Sequence, residues 1–237
     1  MNIWMIMFLQ EGIRNLYYLL NFVECMQKDV FTEYKAEQFL SKYLPVAKNQ
    51  LIQNVEEIDF NIFKFPLVLK LMSAQVLHKT DVGGVKFVHN LEELKKEFNN
   101  LVEIAKDKNF KLEGILIQEF KEGYFLIVGG KKDFTFGQVI LVGGGGIFTE
   151  VMEDVSIRAC PITDKDADEM LNEIKYSKVL KGIRGKKVNL EKVKEFLVEF
   201  SNLMDKHQEI TEIDINPLLV EEDKVEIIDA RIVFQKN

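Results

Sequence analysis

The sequence predicts an α/β (α+β) protein built from two lobes. In the first, residues 66–120 read as strand, loop, strand, helix and strand, which is the pattern of a compact α/β unit. The second half has strands of antiparallel character and ends in a polar hairpin at residues 212–232. A hinge near residue 119 divides the two. We therefore expect an extension at 1–30, a first lobe at 31–119 and a second lobe at 120–237.

Composition limits the classes of function. The chain has 237 residues, 47% of them hydrophobic and 29% charged, which is ordinary for a soluble globular protein with one large or two modest cores. A net charge of -7 argues against a general affinity for nucleic acid. Cys25 and Cys160 have no paired spacing, so they predict neither a disulfide framework nor a zinc cluster and fit the reducing cytoplasm.

The first thirty residues predict a helical extension. Residues 3–9 are apolar but too few to span a bilayer, and no basic residue precedes them, so we expect neither a signal peptide nor a membrane span. Apolar residues at helical spacing over 13–27 predict an amphipathic helix that packs on the body or on a partner.

The first lobe begins with a helix that Thr32 is expected to cap. This helix is expected to end near Leu44. A short strand at 50–52 and a helical turn after Asn54 follow. Residues 66–71 form an apolar run that contains Lys70, which suits a buried strand carrying one charge to its edge. A lysine snorkelling out of the strand is the alternative. A helix at 91–107 and a strand at 114–120 complete the lobe.

The loop at residues 77–86 is a candidate anion site. Adjacent Gly83 and Gly84 let backbone N–H groups approach a phosphate, and Lys79 and Lys86 supply positive charge. The loop matches neither a Walker A motif nor a Rossmann fingerprint.

The second half predicts strands at 124–130, 137–142 and 155–160, and helices at 164–175 and 190–206, the first capped by Thr163. Four consecutive glycines, 143–146, cost backbone entropy. They indicate either a close approach of backbone to a ligand or a flexible turn.

The closing hairpin is the second candidate site. A two-residue turn at Glu222-Asp223 would place Asn216 opposite Asp229 and Asp214 opposite Arg231, all on one face. Such neighbours are close enough for a carboxylate and an amide oxygen to reach one hard cation. The other face would then be apolar, with Ile213, Ile215, Ile228, Ala230 and Ile232. The alternative is that this face is simply exposed to solvent and carries an ordinary surface salt bridge.

Together these stretches resemble the ATP-grasp (beta) subunit of the ADP-forming acyl-CoA synthetases, typified by acetate–CoA ligase. The resemblance runs from about Phe31 to Phe234 and rests on the following segments in order: Val68-Leu69-Lys70, the loop 77–85, Ile117-Gln118-Glu119, residues 126–129, Gly145-Gly146-Ile147-Phe148 with Glu150, Asp154-Val155-Ser156 with Arg158, residues 181–185, Asp214 to Pro217, and Asp229-Ala230-Arg231.

The resemblance implies an ATP-grasp fold with the nucleotide cleft between two lobes. It also implies a reversible reaction in which acyl-CoA, ADP and phosphate are converted into the free acid, ATP and CoA. A phosphorylated histidine would carry energy between the nucleotide site on this chain and the acyl-CoA site on a CoA-binding alpha subunit, in an α2β2 assembly. Carried over by position, the implied roles are phosphoryl acceptor for His78, phosphate contact for Lys70, closure over the phosphates for Gly83 and Gly84, interlobe hinge beside adenine for Gln118, Glu119 and Phe120, and Mg²⁺ ligand for Asn216 and Asp229. Arg158 and Arg231 are further candidate phosphate contacts. The alternative for Arg231 is that it only orients Asp214.

One departure from the family pattern bears on nucleotide affinity. Phe125 stands where the family usually has Glu, and Glu122 is a nearby carboxylate that would partly compensate. A degenerate nucleotide-binding or scaffolding subunit without turnover is therefore the alternative function. A carboxylate–amine ATP-grasp ligase is a weaker one, since the loop histidine has no role there.

Overall fold

The computed structural model describes residues 28–76, 79–145, 154–182 and 188–235. The strands of these residues are β1 (Lys28–Phe31), β2 (Asn49–Ile52), β3 (Leu67–Met72), β4 (Val85–Val88), β5 (Gly114–Glu119), β6 (Tyr124–Asp133), β7 (Gly137–Gly144), β8 (Val155–Ala159), β9 (Ile210–Val220), β10 (Val225–Ile227) and β11 (Ala230–Gln235). The helices are α1 (Glu33–Leu40), α2 (Leu91–Asp107), α3 (Asp164–Glu173), α4 (Ser177–Leu180) and α5 (Leu190–Lys206). The extension predicted at 1–30 falls almost wholly outside these ranges.

The smaller sheet is antiparallel, with strand order β2, β5, β3, β4. Helix α2 covers one of its faces, because Leu94, Phe98 and Leu101 lie at helical intervals and are buried against it. Asn90 caps this helix by accepting a hydrogen bond from the N–H of Glu93. The helix has the bounds that its hydrophobic spacing predicted.

The larger sheet has strand order β1, β11, β9, β6, β7, β8, with β10 paired to β9. Helices α1, α3 and α5 supply side chains to a core on one face of it, including Phe196, Phe200 and Met204. Side chains alternate between the two faces of a strand, so Asp214 and Arg231 lie on the opposite face from their buried neighbours Ile213 and Ile232.

The extent of the first lobe differs from the prediction. Strand β1 pairs with β11 of the larger sheet, and Ala36 and Leu40 of α1 lie in the larger core. Residues 28–40 therefore belong structurally with the second lobe, although they precede the first lobe in sequence. This pairing joins opposite ends of the chain, which local sequence patterns do not report.

The predicted helix caps have different outcomes. Thr163 forms a capping box with Asp166, as predicted. The predicted cap by Thr32 is wrong: its side chain makes no cap hydrogen bond, and its hydroxyl donates instead to Glu113 Oε2 at 3.3 Å.

Three residues of the glycine run lie in close contact with other residues of the chain. A Cβ on Gly143 would lie 2.9 Å from the carbonyl oxygen of Asp154, and one on Gly144 would lie 2.8 Å from the Tyr176 ring. One on Gly145 would lie 2.6 Å from the carbonyl oxygen of Phe125. Close packing therefore accounts for these glycines, while Gly146 lies outside the described residues.

Within the described ranges, no helix has both the length and the apolar character that crossing a membrane requires.

We predict that Gly145→Ala lowers the free energy of unfolding by about 2 kcal/mol, because the added methyl group must displace backbone. Urea denaturation of this variant and of Thr135→Ala, which alters an exposed turn residue, measures the effect. Equal stability of the two variants would contradict the packing explanation.

Candidate functional site

The closing hairpin has the predicted register. The N–H of Glu221 donates to the carbonyl oxygen of Lys224, and the N–H of Asn216 donates to that of Asp229 at 3.0 Å. Arg231 pairs with Asp214. The chain therefore brings the amide of Asn216 and the carboxylate of Asp229 to facing positions of two adjacent segments.

The prediction that Ile228 belongs to the buried apolar face of the hairpin is wrong. Ile227, not Ile228, is buried in the larger core beside Ile215 and Ala230. Residues 228 and 229 form a bend between β10 and β11, so the two-residue alternation is interrupted there. The bend leaves the carbonyl oxygen of Ile228 available to the smaller lobe.

Lys70 reaches this bend from β3 of the smaller sheet. Its ammonium nitrogen lies 3.0 Å from the carbonyl oxygen of Ile228 and 2.5 Å from Glu33 Oε1. The residue is only 7% exposed. A buried ion pair therefore holds Lys70, which rules out the alternative that it snorkels to solvent.

Lys79 completes a charged network between the lobes. Its ammonium nitrogen donates to Glu33 Oε2 at 2.5 Å and lies 3.5 Å from Asp229 Oδ2. Glu33, at the start of α1, thus binds one lysine with each carboxylate oxygen. Lys79 in turn links this pair to the hairpin carboxylate.

The network sets the charge states of its acids. Burial alone would raise the pKa of Glu33, but Lys70 and Lys79 outweigh burial and hold the pKa below its ordinary value. For Asp229 the balance is reversed: burial of the carboxyl and repulsion from Glu33 raise its pKa to about 7, against the attraction of both lysines. About a third of the Asp229 side chain, 34%, is nevertheless exposed, so the carboxylate is accessible from the cleft.

A second acid lies one helical turn further along α1. Glu37 is fully buried and accepts hydrogen bonds from Gln118 Nε2 at 3.2 Å and from Asn49 Nδ2 at 2.7 Å. Burial, followed by repulsion from Glu33, raises its pKa well above 4.5, which favours the uncharged carboxyl. Gln118 also donates to the carbonyl oxygen of Ile228 at 3.2 Å, so the predicted hinge residue contacts the network.

The other hinge candidates lie at the rim. Glu119 accepts a hydrogen bond from the N–H of Lys64 at 2.8 Å, and the Phe120 ring is 41% exposed. Phe120 meets Phe87 edge to face, with ring centroids 5.6 Å apart. Glu122 is exposed on the linker between the sheets.

The glycine pair of the anion loop folds back on its own loop. The N–H of Gly83 donates to the carbonyl oxygen of Thr80, and the N–H of Gly84 donates to that of Lys79. Gly83 has φ +71°, a conformation that glycine adopts without strain. In this conformation the two N–H groups are occupied, so the pair shapes the turn after Lys79 instead of presenting free donors. Leu77 and His78 lie outside the described residues.

The two predicted arginines lie on opposite faces of the larger sheet. Arg158 pairs in register with buried Ile140 and binds Glu173 of α3, with Nη2 2.5 Å from Oε1. It is thus on the helix-covered face, away from Lys70 and Asp229, and the structure does not bring it to the site. Its side chain stabilises the contact between β8 and α3.

Arg231 lies beside Asp214, on the face of the larger sheet opposite the helix-covered core. Among the described residues its Nε has no hydrogen-bond partner although the atom is buried. Arg231 also opposes the effects of burial and Glu212, which raise the pKa of Asp214 to about 6.

Two residues of this network, Glu33 and Glu37, were not among the predicted site residues, and Lys79 was predicted only as a charge of the anion loop. Glu33 and Glu37 occupy the same stripe of α1 as Ala36 and Leu40. Two acids at i and i+4 on an apolar stripe were the available signal, because charged residues are seldom buried without partners.

Paired ammonium groups facing an oxygen-rich hairpin suit a polyphosphate with a divalent cation, so the site has the chemistry of a nucleotide-binding domain. The chain belongs to the ATP-grasp domain family, whose sequence profile matches residues 24–234. This membership confirms the predicted fold and family.

Two relatives are named acetate–CoA ligase (ADP-forming). The Methanocaldococcus jannaschii protein is 40% identical over 215 residues, which are 85% of this chain and 30% of that protein. The beta subunit of ligase I from Pyrococcus furiosus is 39% identical over 212 residues, which are 85% of this chain and 90% of that subunit. This chain therefore spans less than a third of the first relative and nearly all of the second.

Solved structures of the dinucleotide-forming acetyl-coenzyme A synthetase 1 of Ca. Korarchaeum cryptofilum are also similar. The complex with coenzyme A, Ca-AMPCP and HgCl⁺ has a TM-score of 0.83 and 38% identity, covering 94% of this chain and 100% of that chain. A complex with coenzyme A and Mg-AMPPCP has a phosphohistidine segment pointing towards the nucleotide binding site; its TM-score is 0.77 and its identity 36%, covering 91% of this chain and 97% of that chain.

We predict that Glu33→Gln lowers the free energy of unfolding by about 3 kcal/mol, because it leaves two partly buried ammonium groups without their shared anion. Glu37→Gln is the matched control: it is equally buried on the same helix, but it replaces a carboxyl whose pKa is raised well above its ordinary value. We expect it to cost less than about 1 kcal/mol at pH 5. Urea denaturation at pH 5 measures both variants, and equal losses would contradict the opposite directions of the two pKa shifts.

The two variants also differ in pH dependence. A raised folded-state pKa means that native Glu37 keeps a proton that the unfolded chain releases, so this group lowers stability as pH rises from 4.5 towards the raised pKa. Glu37→Gln removes that loss. Glu33 has a lowered pKa, so its stabilisation is present above the unfolded-state pKa and is lost as pH falls through the folded-state value.

Proposed function

We propose that this chain is the nucleotide-binding beta subunit of an ADP-forming acyl-CoA synthetase of the acetate–CoA ligase type. The reaction converts acyl-CoA, ADP and phosphate into the free acid, CoA and ATP, reversibly. The share of this chain is phosphoryl transfer between ATP or ADP and a histidine. The relatives named above support the reaction, and the charged network supports the chemical step.

The single observation that carries the proposal is the meeting of two lysines with the hairpin bend, Lys70 at the carbonyl oxygen of Ile228 and Lys79 at the carboxylate of Asp229. Phosphoryl transfer depends mainly on positioning and on neutralising the charge of phosphate oxygens. Lysines from one lobe and a carboxylate from the other supply both signs of charge at one place in the cleft. Arg231, on the face of the larger sheet that carries Asp214, adds a further positive charge.

The residues also fit Mg²⁺. Asp229 and Asn216 would hold it, because carboxylate and amide oxygens are hard donors and Mg²⁺ needs few protein ligands when phosphates and water provide the rest. When bound, the ion would reduce the negative charge of the phosphate oxygens. Lys70 would contact those oxygens, while Gln118, Glu119 and Phe120 would line the base end of the cleft at the hinge.

His78 is the proposed phosphoryl acceptor. A neutral imidazole nitrogen attacks the terminal phosphorus of ATP, a P–N bond forms, and the P–O bond breaks with its electrons leaving on ADP. His78 directly precedes Lys79 in the chain. Lys79 is bound by Glu33, so the residue that directly follows the proposed acceptor belongs to the charged network.

We infer a CoA-binding alpha subunit as the partner, in an α2β2 assembly. The Pyrococcus furiosus relative, a beta subunit of nearly the same length, supports this division. We place the enzyme in the cytoplasm, where its nucleotide substrates are found.

We predict that His78→Ala abolishes transfer of labelled phosphate from γ-labelled ATP to the chain, lowering incorporation at least about a hundredfold because the nucleophile is lost. His89→Ala is the control: His89 is exposed and pairs with Glu93 at the start of α2. It should incorporate phosphate like the wild type. Acid-labile, base-stable label identifies phosphohistidine.

Unchanged incorporation in His78→Ala would overturn the acceptor role. Binding of nucleotide without any incorporation in the wild type would favour the alternative of a scaffolding subunit. Acyl-CoA synthesis should require addition of the cognate CoA-binding subunit, and synthesis by this chain alone would contradict the proposed partner.

A further inference from the structure

We propose that Lys79 is a second phosphate-binding cation of this site, and that Glu33 is the positioning residue that holds the Lys70 and Lys79 ammonium groups side by side. The inference rests on the proposed function and deepens it. It assigns phosphate binding to one particular lysine of the predicted anion loop, and a positioning role to a residue of the other lobe that no motif of the sequence singled out.

Glu33 has the geometry of a shared anchor. Each of its oxygens lies 2.5 Å from one ammonium nitrogen, Oε1 from Lys70 and Oε2 from Lys79. Glu33 itself is only 4% exposed. Because one rigid carboxylate receives both contacts, the two ammonium groups are fixed as neighbours instead of repelling each other apart.

Each ammonium group also keeps a free donor. An ammonium has three N–H bonds. In the described part of the chain, Lys70 uses two of them for Glu33 and the carbonyl oxygen of Ile228, and Lys79 uses two for Glu33 and Asp229. One N–H on each lysine therefore remains for phosphate oxygens.

The contacts of Lys79 differ in strength. Its 2.5 Å contact with Glu33 is a short charge-assisted hydrogen bond, whereas its 3.5 Å contact with Asp229 is at the limit of hydrogen bonding. Lys79 can thus give up Asp229 to a metal ion while Glu33 retains it. The same ammonium group would then be available to phosphate oxygens.

Sequence adjacency adds to this assignment. His78, the proposed acceptor, directly precedes Lys79 in the chain. A positive charge there would offset the negative charge of the phosphoryl group near the histidine. Lys86, seven residues further on, pairs weakly with Glu97 at 3.7 Å and lies outside the network.

Calorimetric titration of the full chain with Mg·ATP, Mg·ADP and Mg·AMP tests the role of Lys79. We expect Lys79→Met to weaken Mg·ATP binding about tenfold, which is about 1.4 kcal/mol, and Mg·AMP binding less than threefold. Lys86→Met, which removes the same charge from the same lobe, should bind like the wild type. Lys79→Arg should keep most of the affinity, since it keeps the charge. Equal Mg·ATP affinities of Lys79→Met and Lys86→Met would overturn the inference.

The Lys79 ammonium can also be observed without a disabling substitution. In wild-type chain labelled with ¹⁵N-lysine, the Nζ resonance that is missing from Lys79→Arg should shift on addition of Mg·ATP and stay in place on addition of Mg·adenosine. An unmoved resonance in the presence of bound Mg·ATP would overturn the role even if Lys79→Met failed to fold.

Glu33 is tested by discrimination between nucleotides. Glu33→Gln should reduce the ratio of Mg·ATP to Mg·AMP affinity at least about threefold, whereas Glu37→Gln should preserve it. A purely structural role would lower both affinities alike and leave the ratio unchanged, which would overturn the positioning role. Failure of the wild type to bind Mg·ATP at millimolar concentration would instead overturn the proposed function, and this inference with it.

Discussion

The buried carboxylate of Glu33 is the interaction on which the rest of the site depends. Taking a carboxylate or an ammonium group out of water costs several kcal/mol, so neither Glu33 nor Lys70 would be stable where it lies without the other. Lys79 adds a second cation to the same anion. Because Glu33 packs with the larger sheet and both lysines belong to the smaller lobe, this one carboxylate fixes the position of one lobe's charges against the other.

The two faces of the larger sheet differ in composition: one forms the apolar core and the other carries polar side chains. One face is covered by α1, α3 and α5 and forms the core, where Arg158 is used to bind α3. The other carries Asp214 and Arg231, and the bend at 228 and 229 adds a carbonyl oxygen and a carboxylate. The alternation of side chains along the strand is interrupted at this bend. The bend therefore provides the carbonyl oxygen of Ile228, which binds Lys70, and the proposed metal ligand Asp229.

Local patterns predicted much of this architecture. The bounds of α2 and α5 and the hairpin register follow from hydrophobic spacing, caps and a two-residue turn, all of which are local in sequence. The pairing of β1 with β11 and the face taken by Arg158 depend on which strands become neighbours, and a single sequence does not report that. Glu33 and the contact of Lys79 with Asp229 were missed for the same reason, because the partners are 37 and 150 residues apart.

The central claim is that the two lobes meet on one metal–phosphate group, and anomalous diffraction tests it most directly. Crystals of the full chain grown with Mn²⁺ and a non-hydrolysable ATP analogue would locate the ion without any substitution. Our account predicts an anomalous peak within about 2.5 Å of the side-chain oxygens of Asn216 and Asp229, with phosphate oxygens in contact with Lys70. Bound analogue with its manganese peak away from those two residues would contradict it.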